Sequence, residues 1–292
     1  MTRSSHSSDN ILRQAIRGIL QEEAGPGKSL ELIARLQEIN SGLAEAGLPA
    51  QVGVMIDRMA GIIEFSFALQ DVPAGRDRPV RAGQSRAENA WAIANLIRQQ
   101  KAGSAAWGTS AKARRVELEA EKIVSSRKAL RAIAQIPKGS IEVSRAGLDR
   151  DDGGKCAGAN IVRLTRPTTQ GWGPLLYDLA MEHSSKGRSG GLAPDRFEVS
   201  GDANDVWVKY ATARPDVEPQ QLDVSSKHAE HDPKTWGDQL TPEDPSDDCA
   251  QVTAQTYAGG KRGAWRKSHL SRAYKKSDRS VTAALKAAGL FW

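Results

Sequence analysis

The residues whose types and spacing could do chemistry are two glycines, Gly171 and Gly173, directly before Pro174. Proline suits the first turn of a helix because it has no N–H group to leave unpaired. The other N–H groups of a helix N-terminus, together with its partial positive charge, favour an anion, and glycines let that anion approach the backbone. The turn therefore predicts a phosphate or pyrophosphate site, although G-x-G also occurs in turns that merely connect two elements.

Secondary structure predicted on both sides of the turn would hold it in place. Residues 160–165 carry Ile161, Val162 and Leu164 in a short run with one charge, which is typical of a buried or half-buried strand. Pro167 would end that strand. After the turn, apolar residues recur at helical spacing and would face a core: Leu175, Leu176, Leu179 and Ala180. The segment is therefore predicted as a strand, a turn and a helix.

A second strand and helix are predicted to follow. Phe197–Val199 would be the next strand, and Ser200 or Asp202 would cap a helix ended by Pro215. This order implies neighbouring parallel strands joined by a right-handed crossover. Ligands of such sheets bind beyond the C-terminal ends of the strands, where Gly171–Pro174 would lie. The apolar residues predicted on the second helix are Ala203, Val206, Trp207, Tyr210 and Ala211.

The strand–turn–helix segment resembles the acyl-CoA-binding segment of the GNAT N-acyltransferase superfamily. That family's signature is Gln or Arg, two residues, Gly, one residue, and Gly or Ala. Its glycines correspond to Gly171 and Gly173, and Thr168 occupies the Gln/Arg position, with Arg166 and Gln170 nearby. The longer run from Gly171 through Tyr210 also resembles GNAT-like domains in virion proteins of tailed bacteriophages. The resemblance covers about residues 140–225.

The resemblance implies a specific chemistry, in which a substrate amine attacks the thioester of acetyl-CoA directly. Tyr210 is the matching general acid for the departing thiolate, because a phenol stays protonated at neutral pH. Simple packing of Tyr210 against Trp207 is the alternative. The predicted strand holds no carboxylate base, and Glu142 and Glu198 are the weak substitutes. The residues implied to hold the cofactor are Thr168, Gln170, Gly171, Trp172, Gly173 and Pro174.

The rest of the chain supports an α+β fold class. Its pattern predicts four further helices: one over 9–22, one from a Ser29 cap to Gly47, one from a Ser85–Glu88 capping box to Gln100, and one over 110–135. It also predicts strands over 51–56, 62–69 and 141–143. We expect a GNAT-like mixed sheet flanked by helices, with a helical N-terminal part and a charged C-terminal arm. The predicted domains are residues 1–135, mainly helical with a short hairpin over 51–69, a GNAT-like core over 136–225, and an acidic-then-basic arm over 226–292.

The whole chain carries a net charge of +6. Within its last part, acidic and basic residues lie in separate stretches. Residues 216–248 are acidic and proline-rich, whereas residues 261–279 are basic around Trp265 and Tyr274. Basic residues interleaved with aromatics can bind phosphate backbones and stack on bases, so 261–279 is a candidate nucleic-acid surface. The alternative is an amphipathic helix docked on the chain's own acidic stretch. Phe291-Trp292 is predicted to anchor a core or a partner.

Other classes of site are not predicted. Cys156 and Cys249 are too few for a disulfide framework, lack metal-ligand spacing and suit a reducing compartment. His228, His231 and Asp232 have no further ligand at persuasive spacing, so no metal is predicted. No apolar run approaches the ~18 residues of a membrane span, and the first residues have no apolar core of a secretory signal.

Two functions from different classes remain. The first is a bacteriophage virion-associated structural or internal protein whose GNAT-like domain serves assembly, with its catalytic activity left open. Such a protein would be found in the virion and, during assembly, in the host cytoplasm, with other virion proteins as partners. The second is an active acetyl-CoA-dependent N-acyltransferase. Thr168 at the Gln/Arg position and the missing base favour the first. The intact glycine turn and Tyr210 favour the second.

Overall fold

A computed structural model describes most of the chain. The described ranges are 26–69, 79–83, 85–102, 111–145, 154–166, 168–186, 190–225, 239–261 and 263–292. The helix predicted over 9–22 and the residues His228, His231 and Asp232 lie outside these ranges.

The described ranges hold both helices and strands. The helices are α1 (Pro26–Glu45), α2 (Arg86–Ala102), α3 (Ala111–Ser125), α4 (Arg127–Ile133), α5 (Gly173–Ser184), α6 (Gly201–Thr212), α7 (Val252–Tyr257) and α8 (Ser280–Ala287). The strands are β1 (Ala50–Asp57), β2 (Ile62–Leu69), β3 (Val80–Arg81), β4 (Ser140–Arg145), β5 (Asn160–Arg166), β6 (Leu192–Ala193), β7 (Val217–Gln221), β8 (Asp223–Val224), β9 (Asp248–Cys249) and β10 (Arg272–Lys276). Three short 3₁₀ turns cover Cys156–Gly158, Ala264–Lys267 and His269–Ser271.

The fold is α+β, with a mixed sheet flanked by helices. The strand order is β1–β2–β4–β5–β6–β10–β7, with β3 added beside β2. The pair β5 and β6, on either side of α5, is parallel. The pairs β1–β2, β2–β4, β6–β10 and β10–β7 are antiparallel. Strands β8 and β9 form a separate parallel pair.

The chain divides into two compact units, each built from separate stretches of sequence. The first unit comprises the described residues within 1–29, 143–163 and 178–280. The second unit comprises the described residues within 30–142, 164–177 and 281–292.

The second unit contains the β1–β2 hairpin, whose inward side chains Val52, Val54, Phe65 and Phe67 are buried. The predicted apolar face of α1 is also buried and includes Leu32, Ile33, Leu36, Ile39 and Leu43. The predicted capping box is confirmed, because Ser85 Oγ accepts the N–H of Glu88 and the Glu88 side chain accepts the N–H of Ser85. The last residues extend along β1: the N–H groups of Val54 and Ile56 donate to the carbonyls of Leu290 and Trp292.

The structure corrects two predicted helix boundaries and decides between the two caps predicted for a third helix. Helix α1 begins at Pro26, so Ser29 lies inside it, where its buried hydroxyl donates to Asp178 instead of capping. The helix predicted over 110–135 is two helices, because Ser126 is extended and its side chain caps α4 by accepting the N–H of Ala129. Of the two caps left open for α6, Ser200 is the one that accepts a first-turn N–H, from Ala203.

The strand predicted at Phe197–Val199 is also wrong. The parallel neighbour of β5 is β6, at Leu192–Ala193. Residues 197 and 198 belong to a turn, because Oδ1 of Asp195 accepts both of their N–H groups. A carboxylate that satisfies two successive N–H groups bends the backbone and removes those donors from a ladder.

The basic segment 261–279 is not an amphipathic helix. Its described residues form two 3₁₀ turns followed by β10, which is antiparallel to β7. Trp265 and Tyr274 are fully buried, with 0% exposure each. Their rings therefore belong to the core of the first unit.

Candidate functional site

The glycine turn is built as a tight backbone turn ahead of α5. The N–H of Trp172 donates to the carbonyl of Thr169 at 3.0 Å. Gly171, the third residue of that turn, has φ +83°, which glycine adopts readily and other residues rarely do. Thr169 is tied to Lys138 twice: its N–H donates to the Lys138 carbonyl at 3.0 Å, and its hydroxyl accepts the Lys138 N–H at 3.0 Å. The position of the turn is therefore determined by backbone bonds.

The surface of the turn is open above both glycines. A methyl group placed on Gly171 would meet no atom within 4 Å, and one on Gly173 would meet only Thr168 Oγ1, at 3.8 Å. The protein's own packing therefore explains Gly171 by its φ but gives no reason for Gly173. Among the described residues, nothing accepts a hydrogen bond from the N–H of Gly173 or Leu175, the first-turn donors on either side of Pro174. These donors are free for an anionic ligand.

The other residues of the predicted cofactor site have different surroundings. Gln170 is exposed and Thr168 is half-buried close to Gly139. Trp172 is 1% exposed, meets the ring of Phe65 edge-on at 5.6 Å between centroids, and lies under the guanidinium of Arg35. Trp172 is thus an anchor that holds the turn in the core of the second unit.

Tyr210, the predicted general acid, lies in the first unit, whereas the glycine turn lies in the second. Its ring is 4% exposed and packs against Trp207, with 6.0 Å between ring centroids. Its hydroxyl donates to Oδ1 of Asp178 at 2.9 Å. Its proton is therefore engaged by a buried carboxylate in this structure. Of the two candidate bases, Glu142 is half-buried in the second unit and Glu198 is exposed in the first.

Asp178 is the centre of a buried polar cluster that the sequence analysis missed. Its carboxylate accepts hydrogen bonds from Ser29, Tyr210 and both terminal nitrogens of Arg214. Arg214 also donates to Asp216. Burial acts to lower the pKa of Arg214, but the hydrogen bonds to Asp216 and the charge of Asp178 outweigh it and raise that pKa above its usual value.

A second buried ion pair lies one helical turn along α5. Nζ of Lys276 donates to Glu182 at 2.6 Å, and both side chains are 0% exposed. Burial alone would lower the pKa of Lys276, but the bond to Glu182 raises it. The signal that could have found both clusters is the i, i+4 spacing of Asp178 and Glu182 within an apolar helix, since buried charges are nearly always paired.

Three carboxylates, those of Asp223, Asp247 and Asp248, lie together beside the β8–β9 pair, with one oxygen of each within 4.8 Å of the others. The Asp223 carboxylate accepts the N–H groups of Leu240 and Thr241. Burial, followed by the charge of its acidic neighbours, raises the pKa of Asp248. The arrangement is explained by the backbone donors that Asp223 satisfies, and it assigns no cofactor.

The two cysteines, for which the sequence indicated no pairing, form a disulfide. Cys156 and Cys249 are 93 residues apart and both are 0% exposed. The bond joins the 3₁₀ turn before β5 to β9 within the first unit.

No protein-family model, no curated protein and no solved structure shows significant similarity to this chain. None of the helices in the described ranges has both the length and the apolar character needed to cross a membrane.

Proposed function

We propose that this protein is a virion-associated structural or internal protein with a GNAT-like domain, and that residues Gly171–Pro174 of this domain bind the pyrophosphate of acetyl-CoA. The observation that carries the ligand proposal is the open backbone over Gly173. Two first-turn N–H groups and a helix N-terminus present positive charge there, and among the described residues a Cβ added to Gly173 would meet only Thr168 Oγ1, at 3.8 Å.

The topology around the turn supports the same ligand. Strand β5 runs parallel to β6 but pairs with it only through Asn160 and Ile161. The turn follows the C-terminal end of β5, the end beyond which parallel sheets bind their ligands. We therefore place the cofactor against Thr168, Gln170 and the backbone of Gly171–Pro174.

The proposed role is assembly rather than acyl transfer, because the acid and base of the GNAT mechanism lack support. The Tyr210 hydroxyl donates its hydrogen bond to Asp178, and of the two weak substitutes for a base, Glu142 is half-buried in the second unit and Glu198 is exposed in the first. The second candidate, an active N-acyltransferase, is favoured by the open turn alone. Fold resemblance by itself does not establish catalysis.

Nucleic acid is a further proposed partner, through the basic segment 261–279. Lys261, Arg266 and Lys267 are exposed, whereas the aromatic rings of that segment are buried. Contact would therefore rest on charge without base stacking. We expect affinity for duplex DNA to fall steeply with salt, and binding that does not depend on salt would remove this partner.

Calorimetric titration with acetyl-CoA tests the ligand proposal, using Gly173→Asp and Gly201→Asp as a matched pair. Each glycine is the first residue of a helix, and each has room for a side chain. A carboxylate at either position is favourable for the helix dipole, so both variants should fold. We expect micromolar binding by the wild type and by Gly201→Asp, and loss of binding in Gly173→Asp because its carboxylate repels the pyrophosphate.

Absence of wild-type binding up to millimolar acetyl-CoA would refute the ligand proposal. Release of free CoA thiol in the presence of amines separates the two functions. Turnover that is lost in Tyr210→Phe would establish the N-acyltransferase and rule out the inactive domain. Binding without turnover supports the structural role.

A further inference from the structure

Arg196 is a buried cation whose nearest partners are two carbonyls and a sulfur. The side chain belongs to a residue that is 2% exposed. Its Nε donates to the carbonyl of Pro194 at 2.9 Å and its Nη2 to the carbonyl of Leu270 at 2.6 Å. Its Nη1 points to Sγ of Cys249 at 3.6 Å. The disulfide therefore has a guanidinium group directly against one of its two sulfurs.

No carboxylate within the described ranges forms an ion pair with Arg196. The nearest in sequence, Asp195, uses its Oδ1 to accept the N–H groups of Phe197 and Glu198. Burial lowers the pKa of Arg196 to about 10, which leaves the group charged at neutral pH. Buried charges are usually paired. The charge of Asp195 acts in the opposite direction on that pKa, but its carboxylate forms no ion pair with the guanidinium, whereas a thiolate at Cys249 would be a counter-charge in direct contact with Nη1.

The backbone at the other end of the disulfide is strained. Cys156 has φ +48° and Ala157 has φ +54°, a left-handed conformation that L-residues with a Cβ rarely adopt. The segment is held there by the disulfide, by the bridge between Gly154 and Cys249, and by the bond from the Ala157 N–H to the carbonyl of Ser246 at 2.8 Å. Cleavage of the sulfur–sulfur bond removes one of these restraints and lets the backbone relax.

We infer that Cys156–Cys249 is a redox-active disulfide whose equilibrium with dithiols is shifted towards reduction, and that Cys249 leaves as a thiolate paired with Arg196. The inference does not depend on acetyl-CoA binding. Two independent features favour the reduced state: a buried cation with no hydrogen-bonded carboxylate among the described residues, and the strained turn. Strained disulfides are the labile and regulatory ones, whereas structural disulfides resist reduction.

The surroundings distinguish the two sulfurs. Cys156 lies among apolar side chains, including Ala159 and Ile161, which disfavour a thiolate. Cys249 contacts the same apolar cluster but also Arg196. The negative charges of Asp223, Asp247 and Asp248 near β9 would disfavour a thiolate. Asp248 precedes Cys249 in β9, however, so its side chain points to the face of the strand opposite to that of Cys249.

The reaction follows from that asymmetry. Both cysteines are buried, so the turn at Cys156–Ala157 must first open locally. One thiolate of a dithiol then attacks Sγ of Cys156, the Sγ–Sγ bond breaks, and Cys249 leaves with the electron pair as a thiolate. The second thiol of the reductant then displaces Cys156, which leaves and takes up a proton. The dithiol becomes a cyclic disulfide, and the protein holds one thiol and one thiolate. A reducing cytosol would open the link and an oxidising environment would close it.

The test is equilibration of the full chain with mixtures of reduced and oxidised dithiothreitol, followed by acid quenching and thiol counting with a maleimide mass tag. Ala157→Gly relieves the strain, because glycine tolerates a positive φ. We expect this variant to need about fivefold or more reductant than the wild type. Ala159→Gly adds the same flexibility at a residue whose φ is −64°. We expect Ala159→Gly to be reduced as easily as the wild type or more easily.

Arg196→Gln tests the cation, with Arg196→Lys as the variant that keeps the charge. We expect Arg196→Gln to need about tenfold more reductant and Arg196→Lys to behave like the wild type. In the reduced wild type, thiolate absorbance should show one cysteine ionising below the usual ~8.5. Two free thiols in air-oxidised protein would overturn the inference. Equal reductant requirements for the wild type, Ala157→Gly and Arg196→Gln would overturn it as well.

Discussion

Asp178 shows how one buried side chain organises its surroundings. The residue is 0% exposed, and its carboxylate is shared by a serine from α1, a tyrosine from α6 and an arginine after α6. A buried carboxylate is tolerated only when its lone pairs are satisfied. Each donor is therefore held as firmly as the acceptor, and Tyr210 is part of the core in this state.

Tyr210→Phe removes one hydrogen bond from Asp178 and keeps the ring. We expect the free energy of unfolding to fall by about 1.5–3 kcal/mol, the usual value for a hydrogen bond to a charged group. Urea denaturation followed by tryptophan fluorescence measures this change.

Tyr257→Phe is the control, because the Tyr257 hydroxyl donates to the carbonyl of Val199 but the residue is 45% exposed. The free energy of unfolding should fall less in Tyr257→Phe than in Tyr210→Phe, since water can replace the exposed hydrogen bond. Equal losses in the two variants would contradict the importance that we give to Asp178.

At the scale of elements, the segment after α8 completes the second unit by pairing with β1. The N–H of Val54 donates to the Leu290 carbonyl, and the N–H of Trp292 donates to the Val54 carbonyl at 3.0 Å. The close approach needs a residue without a side chain on β1, and Gly53 provides it. A Cβ on Gly53 would lie 2.5 Å from the carbonyl oxygen of Leu290 and 2.6 Å from the ring of Trp292.

Gly53→Ala should displace this segment from β1. We expect a loss of about 1–3 kcal/mol in stability, as is typical of overpacking, and faster amide hydrogen exchange at Val54 and Ile56.

Gly42→Ala is the matched control, because Gly42 lies inside α1 with no atom within 4 Å of its added methyl group. That change should stabilise the protein by about 0.5–1 kcal/mol. Unchanged exchange at Val54 in Gly53→Ala would show that the segment is not held against β1 in solution.

At the scale of the molecule, the acidic cluster beside β8 and β9 makes stability depend on pH. Burial, followed by the charges of Asp223 and Asp247, raises the pKa of Asp248 above its value in the unfolded chain. The folded protein then binds more protons than the unfolded protein between the two pKa values. Stability therefore falls as pH rises through that window, and the charged form of Asp248 destabilises the fold at neutral pH.

Asp248→Asn should raise the melting temperature at pH 7, and the difference should vanish below about pH 3, where Asp248 is protonated. Asp244→Asn should do the opposite at pH 7, because hydrogen bonds from Ser246 lower the pKa of Asp244 and stability from that group is lost as pH falls. Thermal denaturation of both variants and the wild type at pH 7 and at low pH measures the sign of each change in melting temperature. A lower melting temperature for Asp248→Asn at pH 7 would disprove the assignment.

Local sequence determined the elements whose signals lie within a few residues. The strand, the glycine turn and α5 were predicted because proline, glycine and apolar spacing act on the backbone next to them. The buried face of α1 and the Ser85–Glu88 box were predicted for the same reason. The family resemblance and the cofactor that it implies stay predictions. They concern the binding of a ligand, which the local conformation of the backbone does not determine.

Tertiary structure alone decided the pairings between distant residues. Ser29 could serve as a helix cap by its local pattern, but 149 residues later Asp178 offers it a buried acceptor. Nothing in the sequence around Cys156 or Cys249 indicates that they pair. The hydrogen bond from Arg196 to the carbonyl of Leu270, 74 residues away, has no local signal either. Such contacts form because folding brings buried polar groups into a medium where each must find a partner, and the choice of partner depends on the whole chain.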